Sequence, residues 1–183
     1  IIRFVTLALF LTFFGASTAL AQTKAYVTNA NDGSVTVIDT KFNTVIDTIL
    51  VNPAPLGIAV TPNGSVVYVT HLGGSTVSVI DATTNTVIAT VPVGLAPSAV
   101  AITPDGAFAY VTNQTSNTVS VINTATNTVV STVPVGLTPV AVAITPNGAF
   151  AYVANANSST VSIINTTTST VVTTIPGMDG PTS

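Results

Sequence analysis

The 183-residue chain has no cysteine, no tryptophan, no glutamate and a single histidine. Without cysteine there is no disulfide framework and no thiolate nucleophile, and cysteine usage leaves the redox compartment open. Without glutamate, paired-carboxylate chemistry would rest on six aspartates alone. Basic residues are equally scarce. If Arg3 leaves with a leader, Lys24 and Lys41 face Asp32, Asp39, Asp47, Asp81, Asp105 and Asp179. Such a sparse, acidic surface has no electrostatic footprint for nucleic acid. No segment shows helical periodicity, and a helix through this threonine and valine density, with regularly spaced proline, would be costly.

What remains is apolar and β-branched. Hydrophobic residues make up 47% of the chain and charged residues 5%, the opposite of a disordered composition. The N-terminal part reads as a secretory signal peptide over 1–21: Arg3, an apolar run over 4–14 broken by Thr6 and Thr12, then Ala19-Leu20-Ala21 with cleavage expected before Gln22. The run is shorter than the ~20 apolar residues that span a bilayer, so no membrane span is expected after cleavage. The mature chain, 22–183, is expected to be exported: periplasmic, secreted or at the cell surface.

One tetrad returns every 42 residues: Tyr26-Val27-Thr28-Asn29, Tyr68-Val69-Thr70-His71, Tyr110-Val111-Thr112-Asn113 and Tyr152-Val153-Ala154-Asn155. A repeat of this length must stack on copies of itself to bury its apolar face. Each repeat resolves into four runs of strand length bounded by turn residues. Thr61-Pro62-Asn63-Gly64, Thr103-Pro104-Asp105-Gly106 and Thr145-Pro146-Asn147-Gly148 are one hairpin turn written three times. In it proline presets φ, Asn or Asp bonds locally to the backbone, and glycine takes the left-handed position.

The expected fold is an all-β propeller of four-stranded antiparallel blades, with about four blades at approximately 24–50, 56–93, 97–135 and 139–175. The first is expected to supply only the last three strands of its blade. The ring is thus expected to be incomplete, as a chain truncated at its C-terminus or as a half-propeller that pairs with another copy. One face of Val35, Val37, Val45 and Ile49, and one face of Val161, Ile163 and Val171, is expected to lack a partner. That leaves self-association through open blade faces as the expected behaviour.

The tetrads, with Val77-Ser78-Val79-Ile80-Asp81, Thr90-Val91-Pro92-Val93-Gly94 and Val100-Ala101-Ile102-Thr103-Pro104-Asp105-Gly106, resemble the YVTN-repeat β-propeller family over about 25–175. That resemblance implies an exported, usually seven-bladed propeller, similar to surface-layer proteins and in fold to lactonase-like propellers and some redox-enzyme subunits.

Catalytic groups are thin. Asp39 and Asp81 become Asn123 and Asn165 at the same repeat position, which suits turn formers rather than acids or bases. His71 has no second histidine to share a metal, and no nucleophile-elbow pattern accompanies the serines. Four Asn-x-Ser/Thr patterns, at Asn63, Asn113, Asn157 and Asn165, matter only in a host that glycosylates. The loops after the second strands vary most between repeats, so the expected binding surface is the loop face carrying Asn29, His71, Asn113 and Asn155. The expected function is a binding or cell-surface scaffold module that is not an enzyme, with no catalytic residue, metal or cofactor. Its expected partner is a protein or carbohydrate at the cell surface. The alternatives are a fragment of a lactonase-like or redox-type propeller enzyme and a periplasmic nucleic-acid-binding propeller.

Overall fold

The computed structural model describes Leu7–Ala8 and residues 23–182, and every regular element among them is a β-strand. Valine, isoleucine and threonine fill runs of six or seven residues. These side chains are stiff at χ1 and pack well on a pleated surface, so the runs extend. They sort into four four-stranded sheets, each in chain order with antiparallel neighbours. The first holds β1 (Leu7–Ala8), β2 (Lys24–Asn29), β3 (Ser34–Asp39) and β4 (Thr44–Leu50). The second holds β5 (Pro55–Val60), β6 (Val66–His71), β7 (Thr76–Asp81) and β8 (Thr86–Pro92). The third holds β9 (Pro97–Ile102), β10 (Phe108–Asn113), β11 (Thr118–Asn123) and β12 (Thr128–Pro134). The fourth holds β13 (Pro139–Ile144), β14 (Phe150–Asn155), β15 (Thr160–Asn165) and β16 (Thr170–Pro176). This is an incomplete propeller of about four blades.

The first blade was expected to lack an innermost strand. Instead Leu7 pairs with Val27 and Ala8 with Tyr26, a two-residue strand in the inner position. An open strand edge presents unpaired amides and carbonyls, and these two residues pair with part of the β2 edge. The rest of the segment read as a leader, and with it the expected cleavage point, lies outside the described residues.

The three Pro-Asn/Asp-Gly turns close as the chemistry dictates. Gly64, Gly106 and Gly148 have φ of +71°, +75° and +73°, a region that a Cβ would strain.

Blades stack through one repeated contact. Tyr68, Val77, Val79 and Val91 of the second blade meet Ala109, Val111 and Ile122 of the third in a buried cluster. Equivalent clusters join the first blade to the second and the third to the fourth. The expectation that Val35, Val37 and Ile49 lack partners is therefore corrected. They are 0%, 0% and 6% exposed, because the pleat turns that face of β3 and β4 toward the second blade. Val171 likewise packs inward, on the cluster shared with the third blade. Val45 does stay open to solvent.

The fourth blade's far face is the uncovered one. The tetrad tyrosine is 2% exposed at Tyr26 and 0% at Tyr68 and Tyr110, but 40% at Tyr152. Ile175, at the position of Ile49, Val91 and Val133, is 39% exposed.

Candidate functional site

Two places in the blades combine unusual chemistry with repetition: the inner strands and the ends of the second strands. The inner strands β5 and β9 run side by side, with Ile58, Val60, Val100 and Ile102 partly given to the interblade clusters. With Ala59, Ala101 and the turn prolines they line a half-open cavity of about 490 Å³. The lining is aliphatic, and Pro62, Pro104 and Pro146 form its rim at the turn end. Those turns also touch one another. A Cβ on Gly106 would lie 3.5 Å from Pro62 Cδ, and one on Gly148 would lie 3.4 Å from Pro104 Cδ. The size falls in the range of small-molecule sites, which are mostly apolar and largely pre-formed.

At the opposite ends of the inner strands, hydroxyls bind one blade to the next. Thr28 Oγ1 donates to the Leu56 carbonyl at 3.0 Å, and Thr70 Oγ1 to the Ser98 carbonyl at 2.9 Å. Ser98 Oγ lies 2.8 Å from Thr112 Oγ1 and donates to the Pro139 carbonyl at 3.2 Å. A Cβ on Gly57 would run into the Ser98 carbonyl oxygen, so a bare backbone is needed for this approach.

The four residues expected on a binding face sit just beyond, and their side chains turn inward. Asn113 Nδ2 donates to Thr118 Oγ1 and Ser120 Oγ, both at 3.0 Å. Asn155 Nδ2 donates to Thr160 Oγ1 at 3.1 Å and Ser162 Oγ at 2.9 Å. Asn29 Nδ2 does the same with Ser34 Oγ and Thr36 Oγ1, and His71 Nε2 lies 2.8 Å from Ser78 Oγ. His71, Asn113 and Asn155 are buried, while Asn29 is half-buried. They clip the second strand of each blade to the third. Room for them comes from Gly94 and Gly136, where a Cβ would lie 2.7 Å from Asn113 Cγ and Asn155 Cγ. Burial of Asn113 also removes its glycosylation pattern from the surface of the folded chain.

Burial lowers the pKa of His71, and the backbone at Asn52 and Pro53 opposes that shift without a hydrogen bond to Nδ1. Burial pushes the Tyr68 hydroxyl up to about 12, and burial with the nearby Asp81 charge does the same to Tyr26. All three shifts favour the neutral form of the group. Asp81 is a turn former, as its repeat position suggested: its Oδ1 accepts from the Thr83 and Thr84 amides. Asn123 and Asn165 repeat that geometry. Among the described residues no group of three or more His, Asp, Glu or Cys side chains could hold a metal ion.

The family model described as lactonase, 7-bladed β-propeller, matches residues 58–175. The chain belongs to that family. No curated protein matches the chain. Among solved structures, hydrazine synthase of Kuenenia stuttgartiensis is similar, with a TM-score of 0.80 at 26% identity over 91% of this chain and 52% of that one. A functionally unknown protein from Desulfotomaculum acetoxidans DSM 771 has a TM-score of 0.76 at 19% identity, over 86% of this chain and 54% of that one, and shows the fold alone. The chain thus spans about half the length of the structures it matches.

Membership in a lactonase family, together with a hydrazine synthase as structural neighbour, overturns the expectation that the chain is not an enzyme. That expectation came from counting titratable side chains. It gave no weight to the axial cavity, which no single repeat encodes: its walls come from inner strands 42 residues apart. The signal available in the sequence was the small, apolar pattern that ends the inner strands, Ile58-Ala59-Val60 and Val100-Ala101-Ile102.

Proposed function

We propose that the chain is a half-ring of a lactonase-type propeller enzyme and that its axial cavity binds a small, largely apolar ligand such as an alkyl-substituted cyclic ester. The cavity of about 490 Å³, aliphatic on its walls and rimmed by three prolines, carries this reading. Its part in the chemistry is to bind and desolvate. Apolar walls exclude water from a bound ester and strengthen any polar contact made to its carbonyl. The test is titration of the full chain with lactones of increasing alkyl length, competed against an apolar fluorescent dye. Affinity should rise with each methylene, and Ala101→Phe, which fills the cavity, should abolish dye binding and competition. Affinity indifferent to chain length and to Ala101→Phe would remove the cavity from consideration.

A second reading is favoured by the four tetrads and the near absence of surface charge: an exported YVTN-type propeller whose loop ends hold a protein or carbohydrate at the cell surface. Lys24 and Lys41 against six aspartates oppose a nucleic-acid partner. Cell fractionation and N-terminal sequencing of the exported product test export and the expected cleavage before Gln22. A product confined to the cytoplasm would refute it.

A further inference from the structure

Asn63 and Asn147 are followed by glycine in exposed turns, and Asp105 occupies the same repeat position. The three turns are near copies. Asn147 Oδ1 accepts from Thr145 Oγ1 at 2.7 Å and from the Ala149 amide at 3.0 Å. Asp105 Oδ1 accepts from Thr103 Oγ1 at 2.5 Å and from the Ala107 amide at 3.0 Å. In each the glycine amide donates to the threonine carbonyl at 2.8 Å, and the glycine keeps a positive φ. A carboxylate therefore fits this turn as well as an amide does.

We infer that Asn63 and Asn147 are sites of spontaneous conversion, silent to the fold where the product is aspartate and disruptive where it is isoaspartate, and that one hydroxyl in each turn, Ser65 for Asn63 and Thr166 for Asn147, slows the change. Asparagine is thermolabile, and a following glycine leaves its amide nitrogen unhindered by a Cβ. The Gly148 nitrogen attacks Asn147 Cγ. The new N–Cγ bond forms as Cγ–Nδ2 breaks, and ammonia leaves with the amide proton. Water then opens the cyclic imide. Cleavage of the new bond gives aspartate, and cleavage of the original backbone bond gives isoaspartate, whose extra main-chain methylene does not fit the turn.

Cyclisation requires the side chain to leave its hydrogen bonds, so the bonds set the rate. Asn63 Oδ1 is held by the hydroxyls of Thr61 (2.7 Å) and Ser65 (2.8 Å) and by the Ser65 amide (3.1 Å). The residue matching Ser65 in the other turn is Ala149, which has no hydroxyl. One further neutral hydrogen bond slows opening by about fivefold. A packing difference runs the other way, since Gly148 is set against Pro104 while nothing lies within 4 Å of a Cβ on Gly64. The Asn147 turn has a hydroxyl of its own, since Thr166 Oγ1 donates to the Gly148 carbonyl at 2.5 Å where the matching residue beside Gly64 is Ala82, so each turn carries one bond that the other lacks. Each conversion would set a carboxylate next to Pro62 or Pro146 on the cavity rim.

The test is to age the folded full chain in mildly alkaline buffer and follow each site by peptide mapping, with isoaspartate resolved from aspartate. Ser65→Ala should speed conversion of Asn63 and Thr166→Ala that of Asn147, each about fivefold, and Asn147→Asp should leave the urea unfolding curve in place. Rates unchanged by Ser65→Ala and by Thr166→Ala would overturn the inference. So would both sites staying intact while a free peptide of the same turn converts, or a destabilised Asn147→Asp.

Discussion

His71 stands where three repeats carry asparagine, and the exchange swaps a group that never titrates for one that does. The ring is buried against Ser78, and burial, the larger cause, lowers its pKa below the ordinary 6.5. A histidine held neutral in the folded state contributes its full share of stability above 6.5, where it is neutral folded or unfolded. That share is lost as pH falls from there through the depressed folded pKa, because the unfolded chain takes up the proton first. Asp81 and Asp105, whose pKa values are also lowered, add acid sensitivity at lower pH, below the ordinary 3.8. The difference between the parent chain and His71→Asn isolates the histidine. Urea unfolding across mildly acidic pH should show the parent losing stability below 6.5 while His71→Asn stays flat until the aspartates titrate. Parallel curves would mean that the imidazole reaches solvent. Gly57 makes a second test at this scale. An added Cβ meets the Ser98 carbonyl, so Gly57→Ala should cost about 1–3 kcal/mol by urea unfolding, as overpacking does.

Blade on blade, the tetrad tyrosine combines a packing role with a polar tip. Tyr68 OH donates to Asn127 Oδ1 at 2.8 Å, and Tyr110 OH to the Thr166 carbonyl at 3.3 Å, each reaching the next blade. Tyr68→Phe should lower stability by about 1 kcal/mol, the net worth of one hydrogen bond, and more if Asn127 is left unpaired. Tyr152→Phe should be neutral, because its face has no next blade within the described residues; equal losses at the two sites would contradict the stacking order. The outer strands show how so uncharged a chain can guard its edges. Register shifts fall at one repeat position in all four third-to-fourth strand pairs, between Val37/Ile38, Val79/Ile80, Val121/Ile122 and Ile163/Ile164. Bulges of this kind twist an edge away from pairing, and Pro92, Pro134 and Pro176 end three of these strands.

These elements also mark what the sequence could disclose. Strand runs and Pro-Asn/Asp-Gly turns were legible because their causes are local: β-branching, a preset φ, a glycine at the left-handed corner. The side on which a residue lies was not. Val35 and Val37 were expected bare because the pleat's direction depends on which neighbour a blade meets. Asn113 and Asn155 were expected on a loop surface, and their burial depends on Gly94 and Gly136, 19 residues earlier in the chain. The cavity joins two inner strands from separate repeats, a proximity that ring curvature creates and no local pattern states.

For the whole molecule, the unequal burial of equivalent residues has a consequence in solution. Tyr26, Tyr68 and Tyr110 are covered by the following blade, as are Ile49, Val91 and Val133; Tyr152 and Ile175 are 40% and 39% exposed. Val161 is half-buried, where Val35, Val77 and Val119 are buried. These residues form one contiguous sheet face, shaped by its repeat to receive the Ala/Val/Ile face of another blade. Soluble monomers seldom leave a contiguous apolar face of this kind open, and no positively charged residue lies among residues 42–182 to discourage contact. A head-to-tail contact between copies need not close into a ring, so open assemblies are as accessible as a dimer. Sedimentation of the purified chain should therefore show self-association that increases with concentration. Tyr152→Glu with Ile175→Glu should return it to a monomer without lowering the unfolding midpoint, since neither side chain is in a filled core. A parent chain that stays monomeric at every concentration would place some other cover over that face. Association that survives the double substitution would move the contact to the outer edges, where Ile46, Ile88, Val130 and Val172 are exposed at one repeat position.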